Sequence, residues 1–167
     1  MAKAKKRSSK KPVRAKKTAR RAPAKIAKKK AAPKQAAASG IEALAKEIVR
    51  LTQLPGFGKA ELAQLYNPDC TSVEASGQTA VGYAGLEEKL KGWEQMQSGT
   101  SWKPRNVWTG RNTVCIEWDA TVNLRDGRTV QLREIGIHEI KNGKIQRERF
   151  YYNPAALAPP QQSLPGV

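Results

Sequence analysis

Between residues 41 and 53 the large apolar side chains fall at Ile41, Leu44, Ala45, Ile48, Val49 and Leu51. That near-helical spacing predicts a first amphipathic helix ending at about Gln53. Ser39-Gly40-Ile41-Glu42 reads as a capping box for it, with Ser39 as N-cap, and Pro55-Gly56 stops it. A short second helix, Lys59 to Tyr66, sets Leu62, Leu65 and Tyr66 on one side before Asn67-Pro68-Asp69 breaks it. Thr71 to Ala75 reads as a short strand. Tyr83, Leu86, Leu90, Trp93 and Met96 then form the stripe of a third helix ending near Gly99.

After the third helix the period changes to two. Asp126-Gly127 and Asn142-Gly143, each between alternating runs, are hairpin turns by composition, and Thr109-Gly110 is a third. The strands expected are 103–109, 112–124, 129–140 and 144–152. Helices first and strands last predict an α+β domain, with three N-terminal helices covering one face of a curved antiparallel sheet.

Taking each turn as two residues sorts the strand positions into faces. Val114, Ile116, Trp118, Ala120, Val122, Ile135, Ile137, Phe150 and Tyr152 share one face, the side for the helices, and Arg133, Glu139 and Glu148 fall there too. The other face collects Cys115, Glu117, Asp119, Thr121, Glu134, His138, Arg147, Arg149 and Tyr151. Its acids lie one strand from its arginines, which predicts cross-strand ion pairs on an exposed or dimer-forming surface.

Charge divides the chain more sharply than hydropathy does. Residues 1–40 hold 16 of the 31 Lys and Arg and none of the 14 acids, so they carry +16 while residues 41–167 carry +1. The first part is a polycationic arm, with Val13 and Ile26 as its only large aliphatics after Met1. It has too little apolar surface to offset the entropy of folding, and it is expected to be disordered when free.

The remaining 127 residues suffice for one domain, read as 41–153, with 154–167 and its four prolines as a loose tail. No apolar run approaches a membrane span or a signal-peptide core, so a cytoplasmic protein is expected, nucleoid-associated in a bacterium or nuclear in a eukaryote. Cys70 and Cys115 form no metal-ligand spacing and read as reduced and structural. Neither metal nor cofactor is called for.

Within the arm, Lys5, Lys6, Arg7, Lys10, Lys11, Lys16, Lys17, Arg20, Arg21, Lys28, Lys29 and Lys30 form the clusters expected to contact DNA or RNA phosphates. With no aromatic residue in the arm, base stacking contributes nothing, and the contact would be non-specific. In composition the arm resembles the tails of linker histones and bacterial histone-like proteins. A nuclear import signal, an organelle-targeting segment and a solubilising tail are the alternatives.

The helices, Leu65-Tyr66-Asn67-Pro68-Asp69-Cys70, the helix with Gly85-Leu86 and Trp93, and Gly143-Lys144-Ile145 followed by Arg147-Glu148-Arg149-Phe150-Tyr151-Tyr152 together resemble a SnoaL-like domain of the nuclear transport factor 2-like superfamily. The resemblance covers about residues 41–153. It implies a cone-shaped α+β barrel, a small-molecule pocket between helices and concave sheet, and a homodimer formed through the sheet's outer face. Polyketide cyclases, ketosteroid isomerases, limonene epoxide hydrolases and non-catalytic binding domains share this fold, so fold alone does not choose an activity. Ala75 stands where the ketosteroid isomerases carry their proton-transferring carboxylate. Phe150 and Asn153 stand where the epoxide hydrolases carry acids.

Glu148, on the apolar face, is the remaining candidate acid or base, its pKa expected to rise through desolvation. Arg133 or Tyr152 would orient a ligand oxygen, with Tyr66, Trp93 and Trp118 lining the pocket. Alternatively, Glu148 forms a structural pair with Arg133 or Arg149 and the tryptophans are core. His138, the only histidine, lies on the outer face by this register.

Leu54-Pro55-Gly56-Phe57-Gly58-Lys59 also resembles the hairpin of helix-hairpin-helix motifs, whose glycine amides grip a phosphate. Three readings therefore stand: a pocket domain resembling polyketide cyclases or isomerases with a polyanion-binding arm, a dimerisation module whose arm does the work, and a duplex-binding protein.

Overall fold

The structure, a computed structural model, describes residues 34–159 except Gly56. The arm's charge clusters from Lys5 to Lys30 and the end of the Pro-rich tail lie outside the described residues. In chain order α1 (Lys34–Thr52) and α2 (Lys59–Leu65) lead into β1 (Tyr66–Val73), β2 (Thr79–Val81) and α3 (Gly82–Met96). Four strands follow, β3 (Gln97–Thr109), β4 (Thr113–Leu124), β5 (Thr129–Lys141) and β6 (Lys144–Tyr151), and a 3-10 turn (Pro154–Ala156) ends the fold.

One six-stranded sheet runs in the order β2-β1-β6-β5-β4-β3. The fold is α+β, as expected, but two details differ. The sheet is mixed, because β1 lies parallel to β6 while every other pair is antiparallel. The strand expected before the third helix is followed by a second short one, β2, ahead of α3.

Other boundaries shift for local reasons. α1 starts at Lys34, so Ser39 lies inside it and does not cap its start. The backbone turns extended at Tyr66 (φ −110°, ψ 151°), and β1 begins there, five residues before the expected strand. Pro68 is tolerated because β1 and β6 lose register between Tyr66 and Thr71. Pro104 sits in edge strand β3 beside a bulge between Pro104 and Asn106, where no ladder bond is forfeited.

The turns decide the faces. Asn142 and Gly143, both at positive φ (55° and 77°), form a two-residue turn between paired Lys141 and Lys144, as predicted. The Asp126-Gly127 turn is one residue longer than predicted. Leu124 N–H donates to Arg128 O at 2.8 Å, Gly127 N–H donates to Leu124 O at 3.1 Å, and Gly127 takes φ 89°. Arg125–Gly127 is therefore a three-residue loop with glycine in the left-handed position.

The added residue moves the register by one, pairing Trp118 with Glu134, and turns all of β5 over. Leu132, Glu134, Gly136 and His138 face inward, whereas Arg133, Ile135, Ile137 and Glu139 turn outward, the reverse of the sequence expectation for this strand. A shift between Glu139 and Ile140 returns β6 to its expected face, so Ile145 and Glu148 are buried. Strand β4 keeps its predicted sides, with Val114, Ile116, Trp118, Ala120 and Val122 all buried.

The core lies between the helices and this inner face. Ile41, Ala45, Ile48 and Leu51 of α1 pack with Leu62, Leu65, Leu86, Ile116 and Trp118. A second cluster of Ala120, Val122, Leu124 and Leu132 holds Trp93, Met96 and Tyr152. It also holds Ala156 and Leu157, so the beginning of the expected loose tail is packed against the domain. Trp102 joins the two clusters, 6.3 Å from Trp93 and 5.8 Å edge-on to Trp118. No helix among the described residues is long and apolar enough to cross a membrane.

Candidate functional site

Where β1, β6 and β5 lie side by side, their inward positions carry polar groups. Ser72 pairs with Glu148 across the parallel ladder, and Glu148 pairs with His138 across the antiparallel one. Three side chains thus form a row over the concave face. All are buried, Glu148 to 1% and His138 to 3% exposure. Tyr66 reaches the row from the start of β1, and Lys89 reaches it from α3.

Glu148 is the hub. Its Oε2 accepts the Tyr66 hydroxyl at 2.8 Å and lies 3.1 Å from His138 Nδ1. Lys89 Nζ stands 3.7 Å from Oε1, donates to Ser72 Oγ at 2.8 Å and pairs with Glu74. Tyr152 donates its hydroxyl to Glu74 Oε2 at 2.9 Å, closing the outer end of the network.

Burial pushes the Glu148 carboxyl up, but the His138 hydrogen bond, the Lys89 charge and the Ser72 hydroxyl outweigh it and hold the carboxyl down at about 2. The expectation of a raised pKa is thereby reversed: the carboxylate has lost water and gained better partners. Glu134, on the same face of β5, meets the opposite fate. Burial first, then the charge of Glu74, raises it to about 8 against the opposing effect of Lys89, so it is a neutral acid at pH 7. Burial, reinforced by Glu148, also lifts the Tyr66 phenol well above its usual range.

An ionised Glu148 can only accept, so the His138 proton facing it sits on Nδ1. The exchangeable position is therefore Nε2. That atom is buried and has no hydrogen-bond partner among the described residues. It lies above Gly136, where an added Cβ would stand 3.0 Å from Nε2 and 3.3 Å from Phe150 Cε1. The absent side chain is what makes room for both rings.

The network ends at a solvent-open depression of about 310 Å³ lined by Val73, Glu74, Ala75, Phe150 and Tyr152 among others. Phe150 stands between the two. Its ring meets His138 edge-on at 6.0 Å, carries Lys89 Nζ 4.2 Å from its centroid, and lines the depression.

Of the residues singled out from sequence, Glu148, Tyr66 and Tyr152 belong to this network, and Trp93 and Trp118 to the apolar packing beside it. Arg133 does not. The turned β5 puts its side chain outside, 77% exposed and 3.5 Å from Asp119. His138 moves the other way, from the expected outer face to the interior. Neither arginine pairs with Glu148, as Arg149 holds Glu139 at 2.7 Å.

Ser72, Glu74, Lys89 and Glu134 escaped the sequence reading. Two signals were present: Lys89 interrupts the apolar stripe between Leu86 and Leu90, and Cys70, Ser72 and Glu74 alternate onto one side of a strand. Among the described residues no group of three or more His, Cys, Asp and Glu is placed to hold a metal ion. In the hairpin resembling a phosphate grip, the Gly58 amide already donates to Glu61 Oε2 at 2.9 Å, which puts a carboxylate where a phosphate would sit.

The profile of the SnoaL-like domain family matches residues 58–148. Among solved structures, a candidate SnoaL-like polyketide cyclase from Mesorhizobium loti is 25% identical, with a TM-score of 0.57 over 67% of this chain and 98% of that one. A candidate SnoaL-like polyketide cyclase from Jannaschia sp. CCS1 is 16% identical, with a TM-score of 0.62 over 72% and 96% of the two chains. A nuclear transport factor 2-like protein from Anabaena variabilis is 16% identical, with a TM-score of 0.60 over 68% and 90%. No curated protein matches the chain.

Proposed function

Because the chain belongs to the SnoaL-like domain family, we propose that it binds a small molecule at the concave face of its sheet and exchanges a proton with it at His138 Nε2. The observation that carries this reading is the buried hydrogen bond from His138 Nδ1 to an ionised Glu148, which leaves Nε2 unpartnered. A neutral imidazole held this way takes a proton at Nε2, and Glu148 stabilises the imidazolium that results. The same atom then returns the proton. Glu148 acts as the orienting carboxylate, fixed by Tyr66 and Ser72, and the transferring atom belongs to the histidine.

The neutral Glu134 and the Lys89 ammonium add a hydrogen-bond donor and a positive charge close by. That combination suits a substrate whose oxygen gains negative charge as a neighbouring C–H is lost, the chemistry of an enolisable carbonyl compound. In deuterated buffer, proton NMR is expected to show enzyme-dependent loss of the α-proton signal from a panel of small 1,3-dicarbonyl compounds. His138→Ala and Glu148→Gln should each slow it by roughly 10²-fold or more. A wild-type protein that exchanges none of the panel, or variants that match it, would overturn the assignment.

The charge split supports a second activity, non-specific polyanion contact through residues 1–40. Full-length protein is expected to bind duplex DNA with log Kd rising steeply against log salt, by about 0.9 per neutralised phosphate. Replacing the arm's Lys and Arg by Gln should flatten that dependence. Equal binding by the neutralised chain would assign the contact to the domain instead.

A further inference from the structure

Phe150 and Gly136 are direct cross-strand partners. Since Gly136 has no side chain, the Phe150 ring leans over it from β6 while the His138 imidazole leans over it along β5. The two rings fill one space, and the ring edge of Phe150 shares it with the unpartnered Nε2. The same Phe150 also lines the open depression. One side chain thus touches the buried histidine and belongs to a residue of the depression wall.

We infer that the depression is a docking site for a planar, largely apolar molecule of one or two rings, and that Phe150 is the gate through which such a ligand reaches His138. The shape and lining carry the ligand class. Phe150 and Tyr152 supply aromatic walls and Val73 an aliphatic one, while Ala75 leaves the rim uncrowded. The volume of about 310 Å³ lies at the small end of ligand sites. At the edge, Glu74 and the Tyr152 hydroxyl satisfy each other and Lys89. Arg149 pairs with Glu139 through Nη2 while its buried Nε has no partner among the described residues, so the rim offers one open donor without demanding a charged ligand.

Phe150 can swing without breaking the sheet. Its neighbour Arg149 makes the last β1 pairing, with Val73, and Tyr151 remains anchored to Ile135. Rotation about its own side-chain bonds uncovers Nε2. What Nε2 does once reached rests on the proton-transfer reading above, but its accessibility does not.

His138 is the only histidine in the chain, so its carbethoxylation by diethyl pyrocarbonate reads access to that one imidazole, with His138→Gln as the blank. In the full-length folded protein the reaction is expected to be slow. Phe150→Ala should speed it on the order of tenfold, the factor that about 1.4 kcal/mol of opening free energy represents. Saturating 2-naphthol should slow the Phe150→Ala reaction again by filling the opened space. Phe150→Leu, which keeps an apolar side chain and so protects folding, should fall between the two.

A wild-type rate equal to that of free imidazole overturns the gate, as does no acceleration in either Phe150 variant while their circular dichroism is native. Acceleration without 2-naphthol protection overturns the ligand class. Loss of deuterium exchange alone, with these access results unchanged, would sink the proton-transfer reading and leave the gate standing.

Discussion

Glu148→Ala should destabilise the domain by about 3–5 kcal/mol, the range for breaking one partner out of a buried ionic network. The carboxylate is 1% exposed and is contacted by Tyr66, His138 and Lys89. Its removal leaves the Tyr66 hydroxyl and His138 Nδ1 facing a cavity, and leaves Lys89 with the Glu74 carboxylate, the Ser72 hydroxyl and the Phe150 ring. Glu148→Gln should cost less, because an amide oxygen still accepts from Tyr66.

The same contacts make a pH prediction. The folded pKa, about 2, lies below the ordinary value of 4.5. The stabilisation is therefore fully present above about pH 4.5 and disappears as pH falls toward 2, an effect of about 3 kcal/mol at 1.36 kcal/mol per unit. Urea unfolding of wild type and variants across that window measures both effects. Equal midpoints for Glu148→Ala and wild type would show that the network adds nothing.

Glu134→Gln should have the second-largest effect, and of opposite sign. The folded carboxyl titrates at about 8 instead of 4.5, so between those values the folded protein holds a proton that the unfolded chain has released. Stability from this group is full below about pH 4.5 and is lost as pH rises through 8. The slope is about 1.4 kcal/mol per pH unit and the ceiling about 5 kcal/mol. Gln keeps the shape and cannot ionise. The variant should therefore unfold at higher urea than wild type at about pH 8.5 and lose most of that pH dependence. A wild-type stability that does not decline between about pH 5 and pH 8.5 would mean that Glu134 is already ionised in the fold.

The two glutamates show how unevenly the site could be read from the chain. Glu148 was legible because it shares its side of β6 with Phe150 and Tyr152, the side read from the alternation as facing the helices. Tyr66 was legible as the last apolar residue of a short helix. Glu134 and His138 were not, because their side of the sheet depends on whether the turn before them has two residues or three. Asp126-Gly127 serves either loop, and the choice inverts every residue of β5. Local hydropathy argued for the wrong one, since it would have buried Ile135 and Ile137 instead of an acid and a histidine.

The spacing of apolar residues was enough by itself to place the three helices and the inner side of β4, and composition was enough to assign a charge of +16 to residues 1–40 and +1 to the remainder. Those properties are short-range or additive, so they survive without knowledge of the fold. The tertiary structure alone decided that β1 lies parallel to β6 and that β5 turns its polar side inward. Both choices bring together residues distant in the chain. His138 is tolerable in the interior only because Glu148 accepts its proton, and Glu148 only because Ser72, Tyr66 and Lys89 converge on it from other elements.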